Sequence, residues 1–198
     1  MRTVIVGDVH GRASGLDSLL DAVAFVSGDR LVFVGDLIAR VSDSLGVLDI
    51  ARTTGAIVVR GNHEQKVLDW FEARDRWLHG EEEAKPPIGK MHRDLARALR
   101  PVDWSLLQSS KVWLDLPEHG VRVVHAGVDP DLPFEQQKPD TLMRIRTVLA
   151  PGGTRGERYV LWGTRYSGPP HIVFGHNAAP GLQLHDWATG LDTGCVYG

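Results

Sequence analysis

Two aspartates, one asparagine and four histidines of this chain share a local context: a short β-branched run ends, glycine appears, and a metal-type donor stands beside it. The runs are Val4-Ile5-Val6-Gly7-Asp8-Val9-His10-Gly11, Val32-Phe33-Val34-Gly35-Asp36, Val58-Val59-Arg60-Gly61-Asn62-His63-Glu64, Val123-Val124-His125-Ala126-Gly127 and Ile172-Val173-Phe174-Gly175-His176-Asn177. Taken singly, an aspartate after glycine is a turn former and a histidine at a strand end is a hydrogen-bonded structural residue. Five repeats of the pattern in one chain point to one shared site. Oxygen and imidazole donors without thiolate suit Mn²⁺, Fe, Co²⁺, Ni²⁺ or Zn²⁺. Six of these seven donors as ligands match a pair of ions, and a carboxylate shared between them would hold them roughly 3.5–4 Å apart, close enough to aim one hydroxide in line at phosphorus.

The elements that must carry these donors are legible from periodicity. The five runs are too short and too β-branched for helices and read as buried strands bounded by turn residues. In an open α/β sheet ligands bind outside the carboxyl ends of the strands, where every one of these donors falls. Between the runs, Leu16 to Phe25 reads as a helix with Leu16, Leu19, Leu20 and Val23 on one face, and Ser44 to Arg52 as another with Leu45, Leu48 and Ala51 inward. Gln65 to Leu78 and Lys90 to Arg100 read as two more, with Trp70 and Trp77 as core or groove residues and Lys90, Arg93 and Arg97 on a solvated face. Gly80 to Pro87 is acidic, proline-ended and aperiodic, hence a loop. Lys111 to Leu116 and Val121 to His125 read as neighbouring strands around Pro117-Glu118-His119-Gly120, and the runs at Ile172 and Leu191 as further strands. Periodicity by itself supports a layered α/β domain.

Composition sets bounds. The 198 residues fit one domain, 1–198, large enough to bury both faces of a sheet. A formal net charge of -3 argues against broad nucleic-acid or membrane affinity. Cys195 is the only cysteine, which rules out an internal disulfide and reads as a small buried residue in a reducing compartment. The first strand starts by Thr3 and no apolar run approaches the roughly 18 residues that span a bilayer, so the expected location is cytoplasmic.

Gly7-Asp8-Val9-His10-Gly11, Gly35-Asp36-Leu37-Ile38-Ala39-Arg40, Gly61-Asn62-His63-Glu64, His125-Ala126-Gly127 and Gly175-His176 together resemble the ordered motif set of the calcineurin-like metallophosphoesterases. The branch is that of the phosphoprotein phosphatases and symmetrical diadenosine tetraphosphatases. Gly168 to Asn177 and Thr189-Gly190-Leu191-Asp192-Thr193-Gly194-Cys195-Val196-Tyr197-Gly198 narrow the likeness to the ApaH-like phosphatases, whose members run on into a further strand. The resemblance implies a four-layer α/β/β/α sandwich of two mixed sheets flanked by helices, with a helical cap inserted at about residues 65–110. It implies two divalent metal ions, Mn²⁺ first among the candidates. Asp8 and His10 would hold one ion, Asn62, His125 and His176 the other, and Asp36 would bridge. His63 would act as general acid, and Arg40, with Asn62 and Arg165, would bind the phosphate.

One departure carries chemical information. Where protein phosphatases have a second aspartate that pairs with the histidine of the Asn-His-Glu motif, this chain has Ala39, and Val41-Ser42 follows where relatives tend to have Gly-Pro. A nearby carboxylate favours the protonated imidazole; its loss weakens His63 as an acid. A serine alkoxide needs its proton delivered, whereas a terminal phosphate, with a second pKa of about 6, departs readily. Ala39 therefore favours a phosphoanhydride such as diadenosine tetraphosphate, a small-molecule substrate attacked directly by the shared hydroxide. The competing readings are a protein serine/threonine phosphatase, a phosphatase of RNA 5′ ends or nucleotides, and a metal-bearing interaction module without activity. His79, His92, His119, His171 and His185 fall outside the ligand pattern and receive no role.

Overall fold

Strand β2 (Arg30–Phe33) shows how the layers arise. Leu31 and Phe33 enter one hydrophobic cluster, while Val32 and the following Val34 enter another on the opposite side, as the two-residue period of a strand requires. The structure, a computed structural model, describes residues 1–81, 87–152 and 158–197.

β1 (Thr3–Val6), β2 and β3 (Ile57–Val58) form a three-stranded sheet in the order β1-β2-β3. Both pairings are parallel, with Thr3 opposite Arg30 and Val32 opposite Ile57. The helices α1 (Ala13–Ala22) and α2 (Ser44–Thr53) supply the crossovers that parallel pairing needs. A second, five-stranded sheet is mixed: β4 (Trp113–Leu116), β5 (Val121–Val124), β8 (His171–Phe174), β10 (Ala188–Gly190) and β9 (Gln183–His185), in the order β4-β5-β8-β10-β9. β6 (Thr147–Leu149) and β7 (Tyr159–Leu161) make a separate antiparallel hairpin.

The two sheets face each other through Val32, Val34 and Val59 against Leu114, Leu116, Val123 and Val173. The outer face of the first sheet is covered by α1 and α2, with α3 (Asn62–Leu78) and α5 (Pro101–Ser109), through Leu16, Leu48, Val67 and Leu107. The outer face of the second is covered by α6 (Pro139–Arg144) and the turn at Trp162, through Leu142 and Trp162 packed on Phe174 and Ile172. Helices thus flank a pair of packed sheets. Helix α4 (Lys90–Ala98) lies against α3, adding Ala96 to the first cluster.

Element ends differ from the sequence expectation for local reasons. α1 starts and ends three residues earlier, with Ala24 in the left-handed region at φ 47°. α3 begins at Asn62 because Glu64 reaches back to the Gly61 N–H at 2.9 Å. α4 stops at Ala98 because Leu99 and Arg100 are extended before Pro101. The unanticipated α5 starts with that proline at its first position, and Asp103 accepts the Arg100 N–H at 2.8 Å. Cys195 is exposed, its thiol donating to the Asp8 carbonyl at 3.3 Å. The expected acidic loop lies, for residues 82–86, outside the described residues.

Glu64 joins these elements. Its side chain is fully buried, yet Oε2 accepts the N–H groups of Asp36 and Gly61, both at 2.9 Å, and Oε1 those of Leu37 at 2.9 Å and Ile38 at 3.3 Å. Glu64→Gln would turn one of these oxygens into a donor facing N–H donors. At about 1–3 kcal/mol for each buried group left unpaired, the variant should lose roughly 2–4 kcal/mol, seen as a lower urea midpoint with an unchanged m-value. A wild-type midpoint would contradict the clamp.

Candidate metal centre

The donors meet where the carboxyl ends of β1, β2, β3, β5 and β8 converge. His10, Asp36 and His176 have φ of 49°, 49° and 65°, a backbone region that non-glycine residues seldom adopt and that clusters at functional sites. The loops hold one another: the N–H groups of Val9 and His10 donate to the Asp36 carbonyl at 3.1 and 2.8 Å. Both Asp8 oxygens accept the His176 N–H, at 3.0 and 3.1 Å, and Asp36 Oδ1 accepts the His63 N–H at 3.0 Å. A side chain at Gly175 would overlap the Asp8 carboxylate, and one at Gly61 the Asp36 carboxylate, so close approach of donor to backbone requires glycine at both.

Two groups of donors share Asp36. His10, Asp36 and His63 place one ligand atom each within 4.8 Å of one another, and so do Asp36, His125 and His176. Asp36 Oδ2 lies 3.7 Å from His10 Nε2 and 3.9 Å from His63 Nε2, whereas Oδ1 lies 3.5 Å from His125 Nε2. Asp8 Oδ2 is 3.9 Å from His10 Nε2. The tautomers follow from second partners: a carbonyl only accepts, so His125 Nδ1–H donates to Val34 O at 2.9 Å and His10 Nδ1–H to Ile38 O at 3.3 Å. Both Nε2 atoms therefore present lone pairs inward. His125 Nε2 meets Asn62 Oδ1 at 3.2 Å as well as Asp36 Oδ1. Three acceptors converging in this way fit a cation.

Asp8, His10, Asp36, Asn62, His63 and His176 line one cavity of about 180 Å³. Arg40, Arg146, Asn177, Asp192 and Tyr197 also line it.

The profile of the calcineurin-like phosphoesterases matches residues 1–195. The chain belongs to that family. Among the relatives it resembles, the bis(5'-nucleosyl)-tetraphosphatase PrpE [asymmetrical] of Oceanobacillus iheyensis is 26% identical over 219 residues, covering 100% of this chain and 86% of the relative. The serine/threonine-protein phosphatase 1 of Salmonella typhimurium is 32% identical over 205 residues, covering 98% and 87%. A crystal structure named as that of a candidate diadenosine tetraphosphatase superposes with a TM-score of 0.83 at 34% identity, over 100% of this chain and 85% of that one. This metallophosphoesterase is a hydrolase, and its family implies divalent metal ions. No helix among the described residues is long and apolar enough to cross a membrane.

Burial tunes the donors of this phosphoesterase site for a cation. It lowers His10 and His125 to about 4 and His63 and His176 to about 3, against partial opposition from carbonyl hydrogen bonds at the first two. Burial also raises Asp36 to about 7, offset in part by the His63 N–H and Arg40, and raises Asp8 well above the carboxylate range, reinforced by Asp36.

Arg165, expected at the phosphate, is not among the residues lining the cavity. Its guanidinium is committed to Asp131, at 2.9 and 2.6 Å, and to the Leu149 carbonyl at 3.0 Å. Arg146 stands in the cavity instead, close to the His176 carbonyl at 3.4 Å; its only sequence signal is the Arg144-Ile145-Arg146 pattern. Arg40 donates to the Tyr197 hydroxyl at 2.8 Å. Arg93 and Arg97 line a separate groove with Trp70 and Trp104, and Lys90 pairs with Asp94. His92, given no role by the sequence, is buried with Nε2 3.0 Å from His63 Nδ1.

Below its raised pKa Asp36 carries a proton that a cation must displace, while the histidines are already neutral and release none. Mn²⁺ binding should therefore liberate more protons at pH 6 than at pH 8, with affinity rising as the pH passes through about 7. Calorimetric titration in two buffers of different ionisation enthalpy measures this; release that grows with pH would contradict it.

Proposed function

We propose that this hydrolase uses two divalent cations to cleave a phosphoanhydride, with diadenosine tetraphosphate as the type substrate. The observation that carries the reading is the carboxylate of Asp36, one oxygen toward His10 and the other toward His125. In this assignment Asp8 and His10 hold one ion, Asn62, His125 and His176 the second, and Asp36 both. When bound, the ions supply an activated water at neutral pH and neutralise charge on the reacting phosphate. Mn²⁺ is the expected metal.

The chain's own residues do the rest. Arg40 and Arg146, on the cavity wall, bind the non-bridging phosphate oxygens, a task for which the guanidinium fork is suited. Arg146 takes the part first expected of Arg165. His63, half-buried with Nε2 facing the cavity, serves the leaving oxygen. The cavity accommodates a phosphate; the departing portion extends toward the neighbouring groove of about 420 Å³ that shares Arg40 and is walled by Val41, Leu45, Met91 and Leu95.

A second reading, hydrolysis of phosphoserine or phosphothreonine, is favoured by the 32% identity to the Salmonella phosphatase. Ala39 weighs against it, because an alkoxide leaving group needs a strong proton donor. A panel of diadenosine tetraphosphate, mononucleotides, capped RNA and phosphopeptides with Mn²⁺, Co²⁺ or Zn²⁺ separates the readings. The tetraphosphate should turn over fastest; faster release of phosphate from phosphopeptides would overturn the assignment. Chromatography of the products tells ATP plus AMP, the asymmetrical outcome in the PrpE relatives' name, from two ADP.

Asp36→Asn should cost more than the roughly 10–100-fold that losing an outer partner of a metal ligand costs, because it weakens both ion sites together. Arg146→Ala should raise KM about tenfold or more, as expected for one charge-assisted contact of roughly 1.5–3 kcal/mol, while Arg165→Ala leaves KM unchanged. The reverse order would exchange their roles.

A further inference from the structure

The Nδ1 partner of His63 is an imidazole from the overlying helix. His92, in the first turn of α4, is 5% exposed, and its Nε2 lies 3.0 Å from His63 Nδ1. The two rings stack at a centroid distance of 5.0 Å and an interplanar angle of 24°. On its other side His63 packs edge-on against His10 at 5.1 Å. The ring is thus held between a site histidine and a helix histidine, with Nε2 3.9 Å from Asp36 Oδ2.

We infer that His92 is a positioning residue: it accepts the Nδ1–H of His63 and so aims His63 Nε2 at the leaving oxygen, in a chain where the motif that could carry an acid for this purpose has Ala39. The direction of the bond follows from proton accounting. With Nδ1–H as the resting form, His63 Nε2 takes a proton from the attacking water and passes it to the leaving oxygen; Nδ1 keeps its proton throughout, so the group at Nδ1 must be an acceptor. His92 meets that condition when its own proton is on Nδ1, and burial together with Lys66 keeps it below the ordinary imidazole range and hence neutral. A neutral acceptor orients the ring as a carboxylate would but adds no charge to stabilise an imidazolium. The pair should therefore serve leaving groups that need only modest proton donation. This inference rests on the proposed role of His63.

Two measurements test it on the full chain. Long-range ¹H–¹⁵N correlation of the imidazoles, without added metal, should show His63 as the Nδ1–H tautomer in the wild type. The same tautomer should persist in His92→Gln, whose carbonyl oxygen reaches a similar position, and shift toward Nε2–H in His92→Ala. An unchanged tautomer in His92→Ala overturns the inference. With Mn²⁺ and a series of aryl phosphates, His92→Ala should lower kcat a few-fold for 2,4-dinitrophenyl phosphate and roughly 10²-fold for phenyl phosphate, with KM little changed and His92→Gln recovering most of the loss. A uniform loss across the series means that His92 only supports the helix, and it also overturns the inference. Failure of the wild type to hydrolyse any of these esters or diadenosine tetraphosphate would instead sink the substrate reading, and the nitrogen shifts would still decide the position of His92.

Discussion

One buried carboxylate ties the site together. Glu64 belongs to α3, but four backbone N–H groups converge on it, one from the approach to α3 and three from the loop after β2. That loop carries Asp36, whose φ of 49° is unfavourable for a side chain with a Cβ. Hydrogen bonds to successive N–H groups make the conformation affordable, and the same grip brings α3 in so that Asn62 and His63 face Asp36. Burial raises Glu64 to about 7, yet every partner named is a donor, so the carboxylate is the form that the surroundings fit.

Around that clamp the geometry of the two sheets does the gathering. Alternate residues of each strand are spent on clusters on opposite faces, which leaves only strand ends for polar groups. The site then crowds buried donors together, with Asp8, His10, Asp36 and His125 all buried. Burial lowers the site's histidines and raises Asp8 and Asp36, so one physical cause, desolvation, drives both shifts.

The helical segment above the site bears on chemistry as well as on packing. α4 contributes His92 to His63 and Met91 to the groove beside Arg40. An uncharged partner for His63 and an alanine at position 39 both lower the demand that the site can meet for proton donation. In the proposed reading both features, one in α4 and one in the loop after β2, suit a leaving group that departs as a stable anion.

Much was legible in the sequence because the signals are local. Runs of valine and isoleucine ending in glycine declare strands and their carboxyl ends, and donor type at those ends points to a first-row divalent metal; Asp8, His10, Asp36, Asn62, His63 and His176 all line the cavity, and His125, outside its lining, meets Asn62 and Asp36. Pro101 at the first position of α5, with Asp103 two residues on, is a local start signal of the same kind. What periodicity could not reach depends on distances between segments far apart in the chain. Nothing near Arg165 marks Asp131 as its partner, 34 residues away, nor distinguishes Arg146 as the guanidinium left in the cavity. The two-sided placement of Asp36 and the pairing of His63 with His92, 29 residues apart, exist only once helices and sheets have packed. A residue type limits the bonds a side chain can make; which partner it meets is decided by tertiary packing.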